Sequence, residues 1–218
     1  RHISYGNPIG VKKKIMKYQH IYAWFFYGFL TLTWAFHADF FQMKDFNDKD
    51  LIKGAGGKSY RRAMLELIGL KSFYYLFIFV LPIALCAAPW WYSIIGFFVM
   101  QFISGIILAS IFQPAHVVPS TDFPTPDEGG SMESSWLVHQ LRTTTNFAQK
   151  NKVLTWLVGG LNHQVEHHLF PTICHVHYPK ISKIVKQTAE EYNLPYHSYP
   201  TFGSALYNHA MILKHFGQ

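Results

Sequence analysis

The sequence predicts an all-α integral membrane protein, built as a transmembrane helical hairpin with a histidine-rich helical cap on its cytoplasmic side. Three observations lead there. Half of the 218 residues are apolar and only 14% are charged, against about a quarter charged in soluble domains. From Ser72 to Thr121 there is no Asp, Glu, Lys or Arg, a run of 50 residues. Between His163 and His168 three imidazoles, an amide and a carboxylate crowd into six consecutive positions.

The elements follow in chain order. Residues 1–20 are polar and basic, with Lys12, Lys13, Lys14 and Lys17 forming a solvated face suited to anionic headgroups. Ile21 to Phe41 is aromatic and apolar, but only 16 uncharged residues precede His37. It is either a short span or a helix lying in the interface. Residues 42–71 turn charged, with Gly54, Gly56 and Gly57 marking a loop and Arg61 to Leu70 patterned as a short amphipathic helix. The charge-free run then accommodates two spans of roughly 20 residues and a connection. They are placed near 72–88 and 91–113, with the turn at Ala88 to Tyr92. The division is thus 1–71 cytoplasmic or interfacial, 72–113 transmembrane hairpin, and 114–218 a cytoplasmic metal-site region.

Charge sets the orientation. Twelve Lys and Arg precede Ser72, seven follow Thr121, and the hairpin tip has none. Both hairpin ends are therefore expected on the cytoplasmic side. His116, just past the second span, can then meet the 163–168 cluster without another crossing. Residues 119–135 form a Pro- and Gly-broken acidic loop, and Trp136 to Asn146 a helix carrying His139, Gln140 and Arg142. Pro171 to Pro179 is a loop. Lys180 to Asn193 is an amphipathic helix presenting Ile181, Ile184, Val185, Thr188 and Tyr192, and a last helix runs near 202–216. Cys86 is expected as a small core hydrophobe; Cys174, beyond the cluster, is not expected to be a ligand. Two cysteines make no disulfide framework. No basic, aromatic-interleaved array appears, which excludes a nucleic-acid partner.

If the cluster is helical, Gln164, His167 and His168 fall within one arc of roughly 100°, and His163 shares a face with His167. Neutral imidazole is the commonest ligand of iron, zinc and copper. Polar groups this dense beside membrane segments mark function. Spacing alone leaves zinc hydrolysis, with Glu166 as acid/base, and iron–oxygen chemistry both open.

Gln164 to Pro171 resembles the third histidine box of membrane fatty acid desaturases, in the Q-x-x-H-H form of the front-end subgroup and its bacterial relatives. The similarity extends to Gly160, Leu161 and Asn162 before the box, to Gln113 through His116, to Gln140 through Asn146, and to Tyr18 through Trp24. The resemblance implies two non-haem iron ions that use O2 to remove two hydrogens from an acyl chain. It assigns His167 and His168 as iron ligands, His116 as the additional histidine after the hairpin, and Gln164 to the first box position. Gln113 is then placed to anchor a metal-bound water, and Asn162 and Glu166 to orient the imidazoles. It implies an acyl-lipid or acyl-CoA substrate, membrane lipid around the chain, and an electron donor such as a b-type cytochrome or ferredoxin.

The family's first two boxes do not occur in this sequence, which opens at Arg1 without a methionine. The expectation is a C-terminal portion, unable to assemble the full di-iron site alone. A related membrane hydroxylase and a structural zinc site are the alternatives. His163 is expected either to be structural or to orient a neighbouring imidazole, and His175 and His177 to be structural or surface residues.

Overall fold

The computed structural model describes residues 11–54 and 59–218. The expected glycine loop falls partly outside them: Gly56 and Gly57 are not described, and Gly54 closes a short helix, Leu51–Gly54. The chain divides into two compact units, one of Trp24–Ile107 and one of Arg1–Ala23 with Leu108–Gln218.

Among its described residues the first unit is mainly helical, with a turn at 86–89. Among the described residues two helices are long and apolar enough to cross a membrane, Tyr60–Leu85 with 26 residues and Trp90–His116 with 27. At about 1.5 Å per residue each reaches the hydrocarbon thickness of roughly 30 Å with length to spare. The amphipathic segment expected at Arg61 to Leu70 is therefore no separate element. It forms the opening turns of the first long helix, which starts at Tyr60. Ser59 caps it, its side chain accepting from the Arg62 amide. The helix widens to a π turn at Leu76–Val80. Pro82 follows at once, and the wider turn accommodates a ring that would crowd the carbonyl four residues back.

The hairpin turn is also shorter than expected. Trp90 to Tyr92 already belong to the second helix, with the Tyr92 amide donating to the Pro89 carbonyl at 3.0 Å. Cys86 is an extended turn residue and exposed, not a core hydrophobe.

A second π turn, Trp34–Ala38, lies in the aromatic segment before the hairpin. Lys71 Nζ donates to the carbonyls of Trp34 (2.6 Å) and Ala35 (2.9 Å), and Tyr75 donates to Ala35 O at 2.7 Å. Lys71 also pairs with Asp39 at 2.7 Å. Gly28 and Gly105 let two backbones meet: a Cβ at Gly105 would lie 2.6 Å from the carbonyls of Tyr27 and Gly28. Small residues at such contacts are the usual solution for helices packed in lipid.

In the second unit, Ala115, Phe147, Ala148 and Ala205 form one buried cluster, joined by Ile111, Leu154, Tyr199 and Phe202. Leu141, Val165 and Val185 form another, joined by Leu169, Ile181 and Tyr196. The all-α expectation is corrected here by a small parallel sheet, Thr145–Phe147 against His197–Tyr199, in register Thr145↔His197. The helix expected to reach Asn146 stops at Thr143. The run Thr143 to Thr145 is β-branched and favours extended backbone.

The next long helix is Tyr178–Glu191, and it buries Tyr178, Ser182, Val185 and Ala189. Ile184 and Tyr192, expected on the inner face, are 65% and 71% exposed. Phe202–Phe216 closes the chain, started by a reciprocal Thr201–Ser204 capping box. His209 Nδ1 donates to Val117 O at 2.8 Å, tying this helix to the residue after the second span.

Candidate metal centre

The box helix is short, Gln164–Leu169. It follows two glycines with left-handed backbone, Gly159 (φ 58°) and Gly160 (φ 76°). A Cβ on Gly160 would sit 2.7 Å from His175 Cβ, so this turn requires glycine on two grounds. His163 precedes the helix with non-helical backbone, so it does not share a helical face with His167.

His116 comes to this helix from the end of the second span. Its ring centroid lies 5.0 Å from that of His168, and the His167 and His168 rings are 5.8 Å apart. Gln164 Nε2 stands 3.4 Å from His116 Nε2, while Gln164 Oε1 is buried without a hydrogen-bond partner. His168 Nδ1 donates to Gln140 Oε1 at 2.9 Å, which leaves its Nε2 lone pair free. His167 Nδ1 is 3.5 Å from the Tyr178 hydroxyl. Burial, with the His116 and His167 imidazoles adding to it, lowers the His168 pKa to about 4. The ring is therefore neutral near pH 7, as a ligand must be.

Among the described residues no three His, Cys, Asp or Glu side chains converge closely enough to hold an ion by themselves. The donors that do meet are the His116 and His168 imidazoles and the Gln164 amide, with the His167 ring beside His168. An orphaned amide oxygen costs about 1–3 kcal/mol where it is buried, and a cation would satisfy it. This donor set fits one part of a metal centre.

Two residues expected to orient imidazoles do something else. Asn162 Nδ2 donates to Thr155 Oγ1 (3.0 Å) and Ala148 O (3.4 Å), pinning the glycine turn. Glu166, fully buried, accepts from the Tyr196 hydroxyl at 2.8 Å and from Asn146 Nδ2 at 3.0 Å. Asn146 Oδ1 in turn accepts from the Val165 amide at 2.9 Å. Burial raises the Glu166 pKa, while the Tyr196 and Asn146 hydrogen bonds pull it down. The nearest imidazole to that carboxylate is His163, 3.8 Å away, whose Nδ1 also faces Gln149 Nε2 at 3.3 Å. Glu166 thus clamps the box helix to the strand Thr145–Phe147.

Tyr196, Tyr178 and Gln149 carry no motif signal, and only the folded chain brings them to the box. Cys174 is exposed. Arg142 donates to Ser134 Oγ at 3.1 Å.

A family model described as fatty acid desaturase matches residues 5–200. The chain is 36% identical over 213 residues to the sn-1 linoleoyl-lipid 6-desaturase of a Synechocystis species, covering 94% of this chain and 56% of that protein. It is 40% identical over 205 residues to an acyl-lipid (8-3)-desaturase of Physcomitrium patens, covering 92% and 41%. It is 33% identical to Delta(5) fatty acid desaturase A of Dictyostelium discoideum, covering 96% and 45%. The chain spans about half the length of the curated relatives it matches. No solved structure matches it.

Proposed function

The chain belongs to the fatty acid desaturase family, and from that premise we propose that it serves an oxidoreductase that introduces a double bond into the acyl chain of a membrane lipid. The observation that carries this reading is the approach of His116, at the end of a candidate span, to His168 and Gln164 of the Q-x-x-H-H helix. A family model matching residues 5–200 supports it, and so do the relatives named as acyl-lipid desaturases. Those names favour a lipid-linked acyl donor over acyl-CoA.

The side chains we assign to hold iron are His116, Gln164, His167 and His168. Two bound non-haem irons would supply the O2-dependent removal of two hydrogens from neighbouring methylenes. The chain's own residues prepare the site for that. Gln140 fixes His168 with the proton on Nδ1 and the lone pair on Nε2. The Tyr178 hydroxyl lies 3.5 Å from Nδ1 of His167, leaving Nε2 turned away from that contact. The Glu166–Tyr196–Asn146 clamp holds the helix that carries both rings. We place 72–113 in the bilayer as a hairpin and 114–218 as a cap on the cytoplasmic face. The excess of Lys and Arg in residues 1–71, which we place on the same face, suits an acidic electron carrier, a b-type cytochrome or a ferredoxin.

The test is to express the complete parent reading frame that includes this chain in a yeast fed linoleate and to analyse its lipids by mass spectrometry. A product lighter by two hydrogens is expected. A product heavier by one oxygen would indicate a hydroxylase, and purification with zinc and no iron would indicate a structural site.

A further inference from the structure

The short helix Lys152–Leu157 turns its apolar side outward. Val153, Trp156 and Leu157 are 68%, 78% and 66% exposed, and their i, i+3, i+4 spacing puts them on one face. The inner side is held from elsewhere. Leu154 packs on the cluster of Ala115 and Phe147 that Ile111 also joins, and Thr155 Oγ1 accepts from Asn162 Nδ2 at 3.0 Å. Ile111 and Ala115 belong to the last turns of the Trp90–His116 span. Leu154 therefore ties this helix to the cluster at the C-terminal end of that candidate span. Lys150 precedes the helix and Lys152 opens it, and no Asp or Glu occurs between Glu133 and Glu166.

We propose that this face is a second membrane contact. Val153, Trp156 and Leu157 lie at the boundary between headgroups and acyl chains, and Lys150 and Lys152 meet anionic headgroups. Tryptophan favours that level of a bilayer, and cations gain from the negative surface potential. An apolar face with a basic border is the pattern of interfacial helices. The inference rests on the span and not on the chemistry of the site, so the two stand or fall separately.

The native chain in nanodiscs containing a diazirine-bearing phospholipid tests it without any substitution. Photoadducts on the peptide covering 150–158 are expected, and adducts confined to the two spans would overturn the proposal. A second measurement uses a nitroxide at Trp156→Cys or Leu157→Cys in a Cys86→Ser, Cys174→Ser background, with Ile184→Cys as the aqueous reference. In vesicles of phosphatidylcholine with phosphatidylglycerol, the ratio of collisions with O2 to collisions with a water-soluble nickel complex should be several-fold higher at 156 and 157 than at 184. Equal ratios would mean that the face meets water. Exclusion of both probes would mean that protein covers it. Either result sinks the inference.

Discussion

The Tyr196 hydroxyl donates to the buried Glu166 carboxylate at 2.8 Å across 30 residues, and it also accepts from Asn146 and Gln149 at 2.8 and 3.0 Å. One phenol thus satisfies three side chains around the box helix. Tyr196→Phe keeps the ring and removes every one of those bonds. The expected loss is about 1–3 kcal/mol of stability, the range for a buried group left without its partner. Thermal unfolding of the purified protein in detergent reads it, and an unchanged melting temperature would refute the clamp.

Gln140 acts on one imidazole. Its Oε1 accepts from His168 Nδ1 at 2.9 Å, and Gln140→Leu removes that acceptor while keeping most of the volume. Loss of such an outer partner typically lowers metal affinity roughly 10–100-fold. Equilibrium iron titration followed by metal analysis checks this. Gln140→Glu keeps an acceptor and should retain binding; equal loss in both variants would reduce Gln140 to a packing role.

How much of this was legible beforehand depends on how far apart the partners lie in the chain. The charge-free run from Ser72 to Thr121 and the cluster at 163–168 are local patterns, so they point directly to a hairpin and a candidate site. The start of the first long helix is hidden because Arg61, Arg62 and Glu66 look like a separate amphipathic surface, although they form the first turns of a helix that becomes apolar only later. Glu166 was expected to orient an imidazole because its neighbours are histidines. Its actual partners, Asn146 and Tyr196, lie 20 and 30 residues away, and no spacing rule joins them. In the helix Tyr178–Glu191 the periodicity marks an amphipathic helix but does not mark which residues face inward. Ser182 and Ala189 are small enough for close packing, while Ile184 and Tyr192 remain outside.

The pH dependence of the metal-free protein follows from its buried imidazoles. Burial lowers His163 and His168 to about 4, and lowers His209 as well. The unfolded chain takes up these protons near pH 6.5, so below that pH it binds more protons than the folded state and stability falls. The decline should run from about pH 6.5 down to about 4, below which His163 and His168 are protonated in both states. Glu166, raised by burial, acts in the opposite sense above its unfolded value, but it is one group against several, since burial lowers His197 as well. Melting temperatures from pH 7.5 to 4.5 should fall steadily, and His163→Gln should flatten the curve. A flat profile in the parent would contradict the burial of these rings.

The glycine pair before the box separates backbone strain from crowding. Gly159 and Gly160 both have left-handed backbone, which costs an L-residue about 1–2 kcal/mol. A Cβ at Gly159 would meet nothing within 4 Å, whereas one at Gly160 would press on His175 Cβ at 2.7 Å. Gly159→Ala should therefore show the conformational cost alone. Gly160→Ala adds an overpacking cost of about 1–3 kcal/mol and pushes the turn that Asn162 holds. Since the box helix begins four residues after Gly160, Gly160→Ala should also weaken iron binding, while Gly159→Ala should leave it near the parent value. Parallel melts and iron titrations of the two variants decide the matter, and equal effects at both positions would show that the contact with His175 does not constrain the box.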